Sequence, residues 1–371
     1  MRVGHNSAHM FTDQVSRRRT ITERVLGSSL VDLLTGPHGV DRFTEIPNGT
    51  WTINSARAEV LAVERRTSRS TTLLLRPNRA FAGFRAGQHV NAAIEVNGRR
   101  HTRLYSPASS EGTARDVIEL TVGLHEGGVV STYLREHARP GLVIGLDFVA
   151  GDFVLPDERP DKLVFISGGS GITPVVSMVR TLCEQGHTGE MTFVHYVRRE
   201  EEACYRGELL ELAERHPNLT VLYGFTRDET GTDLHGHYTA GTVDVEGAEI
   251  YACGPPSLID GIREAHGEEH LHFETFVPPV FEVPANPGGG TVNFKESAVT
   301  ATDDGRTLLE QAEAAGLTPE SGCRMGICHS CTCRKTSGAV RNLLNGEVSA
   351  VDEEDVQICI SVPVGDVELA I

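Results

Sequence analysis

The 371 residues carry 34 Lys+Arg against 51 Asp+Glu, a formal net charge of −17, with 39% apolar and 23% charged residues. That length allows two or three domains with ordinary cores. The balance excludes wholesale disorder, argues against nucleic acid as a partner, and favours docking on a basic protein surface. No apolar run reaches the roughly 18 residues of a membrane span, and no charged segment followed by an apolar one opens the chain. The eight cysteines lack the short, even spacing of a disulfide scaffold, so a cytoplasmic location is expected.

Residues 1–52 read as an N-terminal extension. It is basic at Arg17-Arg18-Arg19 and then amphipathic, with Ile21, Val25, Leu26, Leu30, Leu33 and Leu34 at helical spacing until Gly36-Pro37 stops the pattern. Such a stripe packs on its own protein or lies against a membrane or partner. Residues 53–155 are short runs rich in Val, Ile, Leu and Thr, broken by turns such as Asn97-Gly98, which predicts an antiparallel β-barrel. Residues 156–278 alternate strand and helix: strands are expected over 162–167, 191–196 and 220–224, helices over 175–185 and 207–216. That rhythm predicts an α/β doubly wound parallel sheet. A Pro/Gly linker over 279–290 leads to a last block, 291–371.

Cys323, Cys328, Cys331 and Cys359 in that block have the spacing C-x4-C-x2-C…C of plant-type [2Fe–2S] ferredoxins. The cluster needs four thiolates, and here three lie on one tight loop while the fourth comes from a distant segment. Gly322 and Gly326 are expected to give the loop its unusual backbone angles and to let amides turn toward sulfur. Structural zinc sites take two short ligand pairs, which this loop does not offer. Cys333, two residues past a ligand, reads as a small side chain of the following strand. The block holds 13 Asp+Glu against 6 Lys+Arg, and Asp352-Glu353-Glu354-Asp355 is either a solvated face or a docking surface.

Two further segments carry nucleotide chemistry. After the apolar run Leu163–Ile166 comes Ser167-Gly168-Gly169-Ser170-Gly171-Ile172-Thr173-Pro174, where glycines let backbone approach a pyrophosphate and a helix N-terminus offers N–H donors. Earlier, Arg103 suits a phosphate, Tyr105 the face of an aromatic ring, and Ser106 a hydrogen bond to a ring nitrogen. Gly127-Gly128-Val129-Val130-Ser131 makes a second anion site at a helix start. Each piece alone also reads as ordinary strand and turn chemistry.

The ordered set Arg103–Ser106, Gly128–Ser131, Gly168–Pro174 and Cys253-Gly254-Pro255-Pro256 resembles the ferredoxin–NADP reductase superfamily. With the C-terminal cysteines, the order flavin, nicotinamide, iron–sulfur resembles single-chain oxygenase reductases with a β-grasp (α+β) ferredoxin domain. The resemblance implies FAD, rather than the FMN of some relatives, with Arg103, Gly128 and Ser131 at its pyrophosphate, Tyr105 on the isoalloxazine and Ser106 near N5. It places Gly169, Gly171 and Thr173 at the coenzyme pyrophosphate, Cys253 and Gly254 at the nicotinamide, and Phe276 over the flavin. Arg198 and Arg199 after the 191–196 strand favour the 2′-phosphate of NADPH, although Glu200, Glu201 and Glu202 follow and NADH stays open.

Residues 1–50, including Thr35–Arg42, further resemble actinobacterial NADPH oxidoreductases that serve stearoyl-CoA Δ9 desaturases. The implied role is to pass electrons to a separate oxygenase or desaturase, with peripheral association through a membrane partner. A ring-hydroxylating dioxygenase or other monooxygenase is the alternative acceptor, and a non-enzymatic redox sensor the remote one.

Overall fold

The computed structural model describes residues 41, 49–53, 55–113, 115–227, 233–276, 289–327 and 329–371. The amphipathic stripe of the extension, most of the linker and Cys328 lie outside the described residues. The chain divides into two compact units, 1–90 with 105–275, and 91–104 with 276–371.

The elements in order are β1 Arg57–Thr67, β2 Ser70–Pro77, β3 His89–Val96, β4 Arg99–Tyr105, β5 Ile118–Gly123, α1 Val129–His137, β6 Val143–Ala150, β7 Lys162–Gly168, α2 Ile172–Glu184, β8 Glu190–Val197, α3 Arg206–Arg215 and β9 Leu219–Phe225. There follow β10 Leu234–His235, β11 Glu249–Cys253, α4 Pro256–His266, β12 Leu271–Glu274, β13 Thr291–Phe294, β14 Val299–Thr302, α5 Leu308–Ala314, β15 Thr332–Asn342, β16 Val348–Ser349, β17 Glu354–Gln357 and β18 Ser361–Leu369.

In the first unit β6, β1, β2 and β5 run antiparallel in that order, forming the barrel-like sheet expected from the turn-punctuated strands. The parallel sheet of the same unit has the order β10-β9-β8-β7-β11-β12. Its central strand β7 buries Leu163-Val164-Phe165-Ile166 completely, because a parallel strand covered by helices on both faces has no solvent side. The apolar periodicity of α2 buries Ile172, Val175, Val176, Val179 and Leu182 against it. Pro256 opens α4, where a missing N–H costs nothing.

The second unit contains most of β3, with β4 beyond the left-handed Asn97-Gly98 turn. Its main sheet has the order β14-β13-β18-β15-β16, with β17 also on β15. Strand β13 is parallel to β18, whereas β14 on β13 and β18 on β15 are antiparallel. Helix α5 starts with a reciprocal cap: Thr307 accepts from the Glu310 amide while Glu310 accepts from the Thr307 amide. The core gathers Phe294, Leu308, Leu309, Ile358, Ile360 and Leu369.

Candidate functional site

At the top of β7 the chain turns at Gly169 (φ +55°), makes one tight turn and enters α2. Ser167 is the register partner of Cys253 on β11, so the loops following the two strands lie side by side. A Cβ on Gly171 would sit 2.2 Å from the Cys253 carbonyl oxygen, and one on Gly168 would sit 2.9 Å from both Leu258 and Pro255. Gly254 is equally confined, its Cβ position 3.1 Å from the Gly168 nitrogen. The glycines thus bring the two loops into close approach, and no side chain caps the first turn of α2, where the Ile172 amide bonds the Gly169 and Ser170 carbonyls. Thr173 is buried in that first turn and donates to the Ser170 carbonyl at 3.3 Å.

Cys253 is fully buried. Burial, and then the charge of Glu274, hold its thiol well above the ordinary range, so it stays neutral and serves as wall rather than nucleophile.

Ser106 is 2% exposed, and its hydroxyl is buried without a hydrogen-bond partner. A buried hydroxyl with nothing to bond costs about 1–3 kcal/mol, so this atom fits a ligand that brings it a hydrogen-bond partner. Tyr105, half-buried, ends β4. Gly128 caps α1, and Ser131 in its first turn donates to the Gly128 carbonyl at 3.3 Å and accepts the His125 amide at 3.2 Å. Arg103 belongs to the other unit, as does half-buried Phe276, and its guanidinium donates to the Thr102 carbonyl at 2.7 Å.

Just beyond β8 three arginines each meet a carboxylate: Arg198 pairs with Glu202 at 3.4 Å, Arg199 with Glu201 at 4.0 Å, and Arg206 with Glu200 at 3.2 Å. The two signs that the sequence left in competition thus cancel locally.

On the cluster loop the structure places Cys323, Cys331 and Cys359, with Cys331 and Cys359 almost fully buried. A hydrogen bond with Cys331, and then burial, push the free Cys359 thiol far up, with Cys323 adding to the effect. Cys331 and Cys359 thus face each other, whereas Cys323 acts on Cys359 through its charge, and the described residues hold no group of three placed to grip a metal. The thiol donors themselves are of the soft kind that iron–sulfur ligation takes. Met325 turns its amide to the Cys323 sulfur at 3.3 Å. Gly326 takes φ +77°, as expected, but Gly322 does not share that task. The other left-handed positions are Arg324 (φ +59°) and His329 (φ +53°). Arg324 is held there by Glu313 of α5 at 3.0 Å, and His329 accepts the Thr332 amide at 3.0 Å. Such contacts offset the roughly 1–2 kcal/mol cost of that conformation in a non-glycine residue. Ser330, between two expected ligands, shares a 3.0 Å hydrogen bond with Thr102 of the same unit. Cys333 is half-buried on β15 and packs against the core, as read from the sequence.

Two residues escaped the sequence reading: His89, and Glu274, two positions before Phe276. They are 185 positions apart, and His89 Nδ1 lies 3.3 Å from Glu274 Oε1. Glu274 is the register partner of Cys253. No local pattern marks such a pair, since only the crossover to β12 unites them.

Three known domain types cover the described units. An oxidoreductase FAD-binding domain matches residues 61–154, an oxidoreductase NAD-binding domain 165–264, and a 2Fe-2S iron–sulfur cluster binding domain 291–364. The chain belongs to the ferredoxin–NADP reductase superfamily, in the form that carries a C-terminal [2Fe–2S] domain, and is an NAD(P)H-dependent electron-transfer reductase. It is 33% identical to the NADPH oxidoreductase of Mycobacterium tuberculosis, over 91% of this chain and 90% of that one. A glycine betaine monooxygenase reductase subunit of Pseudomonas aeruginosa is 29% identical over 76% of this chain and 86% of its own. The solved structure of phthalate dioxygenase reductase shares the fold, with TM-score 0.56 and 22% identity over 85% of this chain and 98% of that one.

Proposed function

We propose that the chain draws electrons from NADPH and delivers them, through FAD and its [2Fe–2S] cluster, to a membrane acyl-CoA desaturase of the stearoyl-CoA Δ9 type. The observation that carries the electron path is the coexistence, in one chain, of a close-packed nucleotide wall at Gly168–Gly171 and Cys253–Gly254 with the cysteines Cys323, Cys331 and Cys359, the last two buried. When bound, nicotinamide and flavin supply hydride chemistry and the cluster supplies single-electron delivery.

The residues position those groups. Gly169, Gly171 and Thr173 hold the coenzyme pyrophosphate at the start of α2, and Cys253 and Gly254 let the nicotinamide lie close, which is how proximity is gained. Ser106 donates its unpartnered hydroxyl toward the flavin ring, Tyr105 packs on that ring and Phe276 covers it. Arg103, Gly128 and Ser131 take the flavin pyrophosphate. Cys328 completes the ligand set with the three described cysteines. Arg198 and Arg199 turn from Glu202 and Glu201 to the 2′-phosphate, and the NADPH named for the mycobacterial relative supports that choice. Anaerobic titration with NADPH and then NADH tests the path: flavin bleaching with a reduced [2Fe–2S] EPR signal is expected, faster with NADPH. Bleaching with a silent cluster would end the electron-delivery reading.

The desaturase partner is supported by the apolar stripe and basic start of residues 1–50 and by the resemblance of that segment. Deleting 1–50 should spare reduction of soluble acceptors and lower turnover with membrane-bound desaturase; equal loss of both would make the segment structural. A second reading, an oxygenase acceptor, is favoured by the monooxygenase reductase relative. Reconstitution with each acceptor separates the two, and support of hydroxylation without desaturation would select the second.

A further inference from the structure

Two buried polar atoms beside the Cys253 wall have nothing to bond in the protein. His89 is 3% exposed, and while its Nδ1 meets Glu274, its Nε2 is buried without a partner. Glu274 is likewise satisfied at Oε1 only, and its Oε2 is buried without a hydrogen bond. Each such atom costs about 1–3 kcal/mol unless something else meets it, and orphans of this kind gather at working sites.

The imidazole is also locked. Gly151, at φ +114°, lies against it: a Cβ there would be 3.0 Å from His89 Nδ1 and 3.2 Å from Cε1. A side chain there would push the ring aside by a few tenths of an ångström, and the backbone angle independently selects glycine. The ring is thus wedged between Gly151 and Glu274. Glu274 in turn ends β12 opposite Cys253, and its carbonyl accepts the Gly254 amide at 3.4 Å. The carboxylate reaches the wall electrically as well, since its charge adds to the rise of the Cys253 thiol.

We propose that His89 is a positioning residue for the coenzyme reaction. Its Nδ1–H holds one oxygen of Glu274, which keeps the second oxygen fixed beside Cys253 as an acceptor for an N–H or O–H donor of the bound cofactors. This rests on the assignment of Cys253 and Gly254 to the nicotinamide wall. The alternative, a purely packing role for the ring, leaves the buried Glu274 Oε2 unexplained.

The shapes of Asn and Gln separate the two. The Asn amide nitrogen overlays Nδ1 of histidine, whereas that of Gln overlays Nε2. In the FAD- and cluster-loaded protein, His89→Asn should keep the hydride-transfer rate and the Kd for NADP+, read from the flavin difference spectrum, within about threefold of wild type, a few tenths of a kcal/mol. His89→Gln and His89→Leu should each slow hydride transfer and weaken NADP+ binding tenfold or more, with the melting temperature of the three variants tracking side-chain volume instead. Glu274→Gln should be as slow as His89→Leu, and the double variant no slower. The proposal is overturned if His89→Asn is as impaired as His89→Leu, if His89→Leu behaves as wild type, or if the double variant is additive. Cys253→Ala supplies the control on the wall: if it changes neither binding nor rate, the nicotinamide assignment falls, independently of how His89 and Glu274 couple.

Discussion

Gly171 and Gly326 sit in the two loops proposed to carry the chemistry, and they are glycine for different reasons. Gly171 has ordinary backbone angles, φ −66° and ψ −1°, which any residue adopts. What it lacks is room, because a Cβ would be 2.2 Å from a backbone carbonyl that cannot move without separating β7 from β11. Gly326 has φ +77°, and the atom nearest its Cβ position is the end of the Ile360 side chain, at 2.6 Å, which can rotate away. The coenzyme wall is thus limited by close approach, and the cluster loop by conformation. A nucleotide must be met by backbone, whereas a cluster is met by side-chain sulfur on a loop that only has to be bent.

The largest effect should come from the cluster side, where covalent ligation leaves no substitute. Cys359→Ser is expected to abolish the reduced [2Fe–2S] EPR signal and transfer to one-electron protein acceptors by a hundredfold or more, while NADPH-driven ferricyanide reduction, which needs only flavin, survives. Loss of both activities would mean that the two sites are not separable.

Next comes Gly171→Ala. Overpacking against a carbonyl typically costs about 1–3 kcal/mol, so NADP+ should bind at least tenfold more weakly and the first unit should melt earlier. Gly326→Ala is expected to be milder, about 1–2 kcal/mol, with cluster content retained at low temperature and lost sooner on heating. If Gly326→Ala destroyed the cluster outright while Gly171→Ala were silent, the contrast drawn between the loops would be reversed.

His195 sharpens the comparison from beneath the wall. It is fully buried, and its Nδ1 shares a 2.8 Å hydrogen bond with the Ser167 hydroxyl. Burial pulls its pKa down to about 3, against about 6.5 for an exposed imidazole. Between those values the unfolded chain binds a proton that the native one refuses, so stability is full above about pH 6.5 and falls as pH drops toward 3. The slope is about 1.4 kcal/mol per pH unit at most. Denaturant unfolding of the first unit followed against pH should flatten in His195→Asn, and an unchanged slope would place the acid sensitivity elsewhere.

The smallest effect is expected at the coenzyme turn. Glu202→Gln frees Arg198 of its 3.4 Å partner on a solvated surface, so the NADPH to NADH preference should rise only a few-fold, in KM and not in kcat. A shift toward NADH would show that Glu202, not Arg198, reads the ribose.

Much of this protein was legible in local sequence. The cysteine spacing named the cluster because ligand separation along a loop is a local property. The runs 162–167, 191–196 and 220–224 became β7, β8 and β9 within two residues, because mostly apolar, β-branched runs flanked by helical patterns leave a local trace. The start of α2 was also legible, since Gly171 and Pro174 mark a helix entry, although the helix begins three residues earlier than its periodicity suggested.

What the chain alone did not determine depends on crossovers. That Cys253 lies against Gly171, that Arg324 and His329 rather than Gly322 take the left-handed angles, and that Arg198, Arg199 and Arg206 each meet a glutamate follow from which strands and loops meet. The pairing of His89 with Glu274 is the clearest case. Hydrophobic pattern and ligand spacing report on a residue's immediate neighbours, whereas a buried polar pair is created only when the parallel order β7-β11-β12 brings the end of the reductase half back beside the start of β3.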